Sequence, residues 1–330
     1  MSYWQNKVVM ITGVCGLIGA PLAKMLRDDG ANVIGVDTDY PGCLRHYDLH
    51  EGQYWGRKDG AMRVHRLDIT DRDMVRIVVA RDNPSIIFHL AAVSHVEKSR
   101  SLGAVTIDVN VGGVLNILEA ARVQGARVIV PSSNHVYGPQ DVTPTTEDSP
   151  LRQMDTYSVS KIMADYLSRA YAHNYQTDVV VVRNTNCYGP FDPHEDHIVP
   201  STVFSLLRGT PPVIRSEGTV KKSFLYVDDV CRSYMIAAEH GKSGKAYNVA
   251  GNQSYSAKDM VDMIRDIMPE GRSIPHVQVL CKQSDQSDEY LDSSLIRELG
   301  WEPQETLRSG LEKAIEGLRQ LQKEGVLSTL

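Results

Sequence analysis

The sequence predicts an α/β fold, a doubly wound parallel sheet with a smaller C-terminal substrate-binding lobe, and three observations predict it. Short β-branched runs alternate with amphipathic helical stretches from Lys7 to Arg183. A glycine turn, Thr12-Gly-Val-Cys-Gly-Leu-Ile-Gly19, joins the first strand to the first helix. An acid, Asp37, ends the next strand about 20 residues further on, where a dinucleotide-binding unit carries one.

Lys7 to Thr12 is the first strand, Ala20 to Asp29 has the apolar spacing of a helix, and Asn32 to Val36 is the second strand. The alternation continues through a strand Arg63 to Leu67, a helix near Arg72 to Asp82, and a strand Ile86 to Leu90. A helix near Thr106 to Gln124 and a strand Arg127 to Pro131 follow. A helix carrying Tyr157 and Lys161 then leads to the strand Asp178 to Arg183. Apolar strands separated by helices mean a parallel sheet covered on both faces. Beyond it Pro190, Pro193, Pro200, Pro211 and Pro212 mark loops and short elements. Phe224-Leu-Tyr-Val-Asp-Asp-Val230 reads as a strand feeding a helix, Val230 to Glu239, that returns to the first domain. The expected boundaries are therefore 1–183 for a Rossmann-type domain, with 224–245 returning to it, and 184–223 plus 246–330 for the lobe. No repeat or low-complexity tract interrupts the chain.

A chain of 330 residues is long enough for two coupled units with a buried core. Its net charge of -6 is spread out, with no Lys or Arg run to attract nucleic acid or an anionic membrane. Cys15, Cys43, Cys187, Cys231 and Cys281 are odd in number and scattered, so they read as reduced thiols, not as a zinc or redox motif. No metal site is expected. The first residues run straight into a strand, and no stretch approaches the roughly 20 apolar residues of a membrane helix. The expectation is a cytoplasmic protein with a small-molecule partner.

Gly13, Gly16 and Gly19 permit a tight turn, close approach of backbone to a pyrophosphate and close helix packing, with Leu17 and Ile18 between them. Asp37 is placed to accept hydrogen bonds from ribose hydroxyls, and a 2′-phosphate there meets repulsion reinforced by Asp39. NAD is favoured over NADP. Asp68, followed by Ile69, either touches the adenine or starts the next helix. The strand ending at Val130 delivers Pro131-Ser-Ser-Asn-His-Val-Tyr-Gly138 to the carboxyl edge of the sheet, where such folds bind ligands. Tyr157 and Lys161 share one helical face, so an ammonium can tune a phenol that moves a proton while Ser133 holds the substrate oxygen. His135 is suited to a proton-donating, proton-accepting or hydrogen-bonding role, and Asn134 to orientation only.

These residues resemble the extended short-chain dehydrogenase/reductase family, the NAD-dependent nucleotide-sugar epimerases and dehydratases, over nearly the whole chain. His89-Leu-Ala-Ala92, Asn110-Val-Gly-Gly, Arg183-Asn-Thr-Asn-Cys-Tyr-Gly-Pro190, Tyr247-Asn-Val and Leu299-Gly-Trp-Glu-Pro303 carry the likeness with the motifs above. The resemblance implies that Leu90, Ala91, Ala92 and Asn110 join the cofactor site. His89 to Ser99 looks most like the sugar 4,6-dehydratases, which makes Ser94 a substrate contact; Asn186 and the loop from His197 to Pro200 are implied on the sugar and nucleotide. Three departures stand out. Lys222 stands where the family commonly has an Arg, and Lys282-Gln-Ser-Asp285 stands for Arg-Pro-Gly-Asp, so a diphosphate meets point charges instead of bidentate forks. Asn134-His135 stands where dehydratases carry an acid/base pair, and Ser-Ser-Asn-His also resembles the shorter uronate dehydrogenases. The resulting expectation is a nucleotide-sugar epimerase with tightly held NAD, working through a transient keto sugar. A 4,6-dehydratase, a net sugar dehydrogenase or ketoreductase, and a non-catalytic NAD sensor are the alternatives. The family implies a homodimer pairing the helices near Thr106 to Gln124 and Thr156 to His173 of each subunit.

Overall fold

The computed structural model describes residues 2–39, 42–47, 50–51, 61–192, 194–214, 217–271, 273–278 and 288–324. The first half alternates β1 (Val8–Thr12), α1 (Gly19–Asp28), β2 (Asn32–Asp37), the two-residue β3 (His50–Glu51), β4 (Ala61–Arg66), α2 (Arg72–Asp82) and β5 (Ile86–His89). Then come α3 (Val96–Ser101), α4 (Gly103–Ile107), a π-helical segment Asp108–Gly112, α5 (Gly113–Gln124), β6 (Arg127–Ser133), α6 (Thr156–Tyr175) and β7 (Val179–Asn184). The remainder holds β8 (Asn186–Tyr188), α7 (Ile198–Leu207), β9 (Val213–Ile214), β10 (Lys221–Tyr226) and α8 (Val227–His240). It ends with β11 (Ala246–Val249), β12 (Ser254–Ser256), α9 (Ala257–Ile267), β13 (Val277–Gln278), α10 (Ser294–Glu298) and α11 (Leu307–Lys323).

Eight strands pair in the order β11-β7-β6-β5-β1-β2-β4-β3, all parallel. Strand order reverses between β1 and β5, the crevice where this topology binds its ligands. Period-2 alternation sends each strand into two cores. Val9, Ile11, Phe88 and Ile129 face the core shared with α1 and α8, while Met10, Ile87, Val128 and Val130 face that of α2, α5 and α6. The first core runs on into the lobe through Trp301, Leu311 and Leu318, so both units share one apolar interior.

The Phe224 strand does not return to the large sheet. β10 pairs with β8 and β12 in a three-stranded sheet of the lobe, because Lys221 and Lys222 have no place in a strand covered on both faces. The return is made by α8 and then by β11, a segment expected in the lobe, whose four residues are all buried beside β7. The Asp-Asp and Gly-Trp-Glu-Pro motifs meet at this point. Buried Asp229 accepts from the N–H groups of Gln304 and Glu305 at 2.7 and 3.1 Å, and Trp301 Nε1 donates to its carbonyl at 3.0 Å.

One described helical stretch, Gly103–Gln124, has the length and mean hydropathy, 1.3, to cross a bilayer. Val114, Ile117, Leu118, Ala120 and Ala121 are instead buried against the sheet, so packing uses that hydropathy. The four described cysteines are free thiols.

Arg183 on β7, 1% exposed, forms a two-point ion pair with Asp165 on α6 at 2.8 and 3.1 Å, and donates to Tyr137 Oη and the Glu147 carbonyl. Asp165→Ala strands that guanidinium in the interior and is expected to cost about 3–5 kcal/mol in urea unfolding. Asp165→Leu combined with Arg183→Met, which removes both charges, should be less destabilised; equal loss in both variants would contradict the account.

Candidate active site

A cleft of about 1100 Å³ runs along the carboxyl edge of the large sheet and under the lobe. It collects Gly13, Gly16, Leu17, Ile18, Gly19, Asp37, Asp68, Ile69, Leu90, Ala91 and Ala92 at one end. Ser94, Ser133, Asn134, His135, Tyr157, Lys161, Asn186 and His197 line the remainder. Nearly every residue singled out from sequence therefore faces one cavity, which exceeds a single small-ligand pocket and has room for two ligands.

The glycine turn fits a dinucleotide on its own geometry. Gly13 has φ +71°, and a Cβ there would come within 2.7 Å of the Ala91 nitrogen; a Cβ on Gly16 would meet only the Gly13 carbonyl at 3.4 Å, which leaves its surface open. α1 has no side-chain N-cap among the described residues; Ala20 N already donates to the Gly16 carbonyl and Leu22 N to the Ile18 carbonyl, and Pro21 has no N–H, so the Gly19 N–H is the first-turn donor left for an anion. Asp37 accepts from Cys15 N at 2.8 Å and Asp39 N at 3.0 Å, which holds the turn against β2. A carboxylate has about four lone-pair sites, so two of them are left for ribose hydroxyls. Asp68 shapes the turn before α2 by accepting from Thr70 N and Oγ1 at 2.9 and 2.8 Å; the helix cap itself is Asp71.

Asn110 does not reach the cleft. It is 2% exposed and braces the Val93 backbone, accepting from its N–H at 2.7 Å and donating to its carbonyl at 3.0 Å and to Ser160 Oγ at 2.9 Å. The π-helical turn re-aims this side chain, so Asn110 positions the loop behind the cofactor instead of touching it. His89 plays a similar part, tying Thr12 Oγ1 to β5 at 2.8 Å.

Strand register sets the chemical end. Ser132 and Ser133 lie opposite Arg183 and Asn184 at the tip of β6. Ser133 stands beside the Tyr157 side chain, its Oγ accepts from His135 N at 3.2 Å, and the buried Ser132 hydroxyl has no partner among the described residues. Burial pushes the Tyr157 phenol up to about 12, although the neighbouring Ser133 hydroxyl pulls it the other way. Lys161 does not bond the phenol; its ammonium donates to the Pro131 carbonyl at 3.1 Å and is pulled down to about 8 by burial. The His135 ring stands edge-on to Tyr157 with centroids 6.4 Å apart and lies beside Asn186, whose amide donates to the Ser223 carbonyl at 3.2 Å. Burial lowers its pKa, opposed first by the charge of Glu289.

Glu289 is the residue that sequence reasoning missed. It accepts from Asn134 Nδ2 and pairs with Lys222 at 3.4 Å. Lys222 is thus committed to Glu289 and does not line the cleft, contrary to its expected place on the diphosphate. No local spacing signals the contact, since Glu289 lies 155 residues from Asn134. Lys282 and Asp285 fall outside the described residues. A second unforeseen group gathers by His197, whose Nδ1 lies 2.8 Å from buried Asp192, with His95 stacked on it and the His194 ring tilted beside it.

A nucleotide-binding sheet with Ser, Tyr and Lys converging at this edge defines an extended short-chain dehydrogenase/reductase. The model of the NAD dependent epimerase/dehydratase family matches residues 9–250, and the chain belongs to that family. UDP-glucose 4-epimerase of Mycolicibacterium smegmatis is 30% identical over 317 residues, 94% of this chain and 98% of that protein. dTDP-glucose 4,6-dehydratase of Salmonella typhimurium is 28% identical over 338 residues, 93% of this chain and 91% of that one. Among solved structures, UDP-glucose 4-epimerase of Thermotoga maritima with UDP-glucose superposes with a TM-score of 0.86 at 26% identity, covering 96% of this chain and 99% of that one. The enzyme is NAD-dependent and of the nucleotide-sugar epimerase/dehydratase class.

The buried lysine carries a measurable signature. Its pKa falls from 10.5 unfolded to about 8 folded, so between those values the unfolded chain binds more protons and stability rises with pH. Lys161→Met lacks this rise: the variant's stability relative to the native chain should fall by about 1–2 kcal/mol between pH 7 and pH 9.5. Urea unfolding at both pH values reads the difference; a pH-independent gap would remove the assignment.

Proposed function

We propose that the chain is a nucleotide-sugar epimerase that works through a transient keto sugar, with the 4-epimerase reaction as the leading form. The observation that carries this reading is the side chain after Ser133. Asn134 takes the place of an acid, its amide is committed to Glu289, and Glu289 is in turn engaged by Lys222. A site for reversible oxidation is present without a carboxyl group beside Ser133 to expel a hydroxyl.

NAD, held by the Gly13–Gly19 turn and Asp37, would supply a reversible hydride acceptor and a positive charge. Ser133 and Tyr157 grip the sugar hydroxyl, and Tyr157 takes its proton as the carbon is oxidised. The phenol is neutral in the free site at pH 7, because burial holds it near 12. Positive charge nearby, from the Lys161 ammonium below about pH 8 and the loaded cofactor, makes it a usable base. Asn186 and His135 orient the ring from the lobe side. The cleft leaves room for the keto sugar to turn and present its other face. The relatives that act on UDP-glucose and dTDP-glucose support a nucleoside diphosphate sugar as substrate.

A 4,6-dehydratase is the second reading, favoured by His135, which stands between Tyr157 and Glu289 and could exchange a proton. Turnover in heavy water separates the two. Product free of carbon-bound deuterium supports 4-epimerisation. Label at the epimerised carbon means proton exchange next to the ketone, and label at C6 with a stable 4-keto product overturns the epimerase in favour of dehydration. Tyr157→Phe should lower kcat about 10²–10⁴-fold; unchanged turnover would remove Tyr157 as the base, and only absence of turnover in the native chain would leave a cofactor-sensing role.

We also infer a homodimer that pairs the α4–α5 stretch and α6 of each subunit, covering the exposed Val105, Met163 and Tyr166. Light scattering should give twice the chain mass, and Met163→Asp with Tyr166→Asp the single mass. A native chain that stays single at every concentration disproves the pairing.

A further inference from the structure

Behind the Ser94 loop, the substrate half of the cleft holds a cluster that the proton and hydride chemistry does not use. His95, 6% exposed, lines the cleft, and among the described residues its Nε2 has no hydrogen-bond partner. Its Nδ1 lies 3.1 Å from Asp196 Oδ2. His197 stacks on the His95 ring at 5.0 Å and 18°, and Asp192 holds its Nδ1 at 2.8 Å, leaving Nε2 as the nitrogen it can offer. Among the described residues, one donor atom each from His95, Asp196 and His197 falls within 4.8 Å of the other two.

We propose that His95, Asp196 and His197 form a binding site for a divalent first-row metal ion at the substrate end of the cleft. Two imidazoles and one carboxylate are donors for zinc-like ions and leave further coordination positions open. The 3.1 Å between His95 Nδ1 and Asp196 Oδ2 is already the spacing of two ligands on one ion, since bonds of about 2.1 Å set neighbours roughly 3.3 Å apart. His197 must approach by at most about 1.5 Å on the same spacing. Asp196 is 46% exposed, so its side chain has room to adjust, while the buried His95 ring already presents Nδ1 to it. Asp192 supplies what a ligating histidine needs behind it, a carboxylate on the other ring nitrogen that fixes orientation and raises basicity. Asp192 and Asp196 together balance a dication. The open position faces the cleft, where an oxygen of its occupant completes the sphere.

The test uses the full chain, stripped with chelator and titrated with Co²⁺ and with Zn²⁺ alone. The expected result is saturable uptake of one ion per chain after gel filtration, with the visible absorption of nitrogen-bound cobalt. His197→Ala and Asp196→Asn should each weaken uptake at least about tenfold. The Asp196 change lies at a half-exposed position, and unchanged circular dichroism will verify that its fold is intact. No saturable uptake by the native chain, or uptake unaltered in both variants, overturns the site.

Discussion

The buried pair between Arg183 and Asp165 is the constraint on which the catalytic edge depends. Arg183 stands on β7 directly opposite Ser132, and Asp165 lies one helical turn beyond Lys161 on α6. A guanidinium taken out of water must be matched on every side, so the pair admits essentially one placement of α6 against the sheet. Tyr137 and Glu147 satisfy its remaining donors and pass the restraint to Asn248 on β11, through bonds of 2.6 and 2.7 Å. Tyr157 stands about two turns before Asp165 on the same helix, so the charge pair helps to hold it at the strand end that carries Ser133.

Electrostatics then divides the site into two halves. Around Tyr157 and Lys161 burial disfavours charge on both groups, so the free site rests with a neutral phenol and a readily lost ammonium proton. Under the proposed mechanism, the positive charge of a bound cofactor would be what lets the phenol act as a base. Around Asn134 and His135 charge comes from the lobe, where Glu289 opposes the burial of His135 and Lys222 offsets Glu289. Under the proposed mechanism, the course of the reaction after the first oxidation would depend on this second half, which the large sheet and the lobe build together.

Legibility followed the range of the interactions. The glycine turn, Asp37, Ser133 and the Tyr157–Lys161 pair are local patterns tied to a strand end or a helical face, and all of them line one cleft. Asn110 was legible as a motif residue but not in its role, because a π-helical turn aims it at Val93. The Phe224 strand was visible while its sheet was not, since the lysines that exclude it from the large sheet count only once both faces of that sheet are known to be covered. Asp229 read as part of a family motif, and folding shows it as the anchor of residues 304 and 305.

Sequence alone determined the fold class and the dinucleotide turn and suggested the proposed first chemical step, because each rests on residues a few positions apart whose spacing matches a strand or a helix. Only the tertiary structure decided what surrounds that step. Glu289 reaches Asn134 across 155 positions, and His95 reaches Asp196 across 101. Such meetings follow from how the lobe closes over the sheet edge, and no periodicity in the chain encodes them.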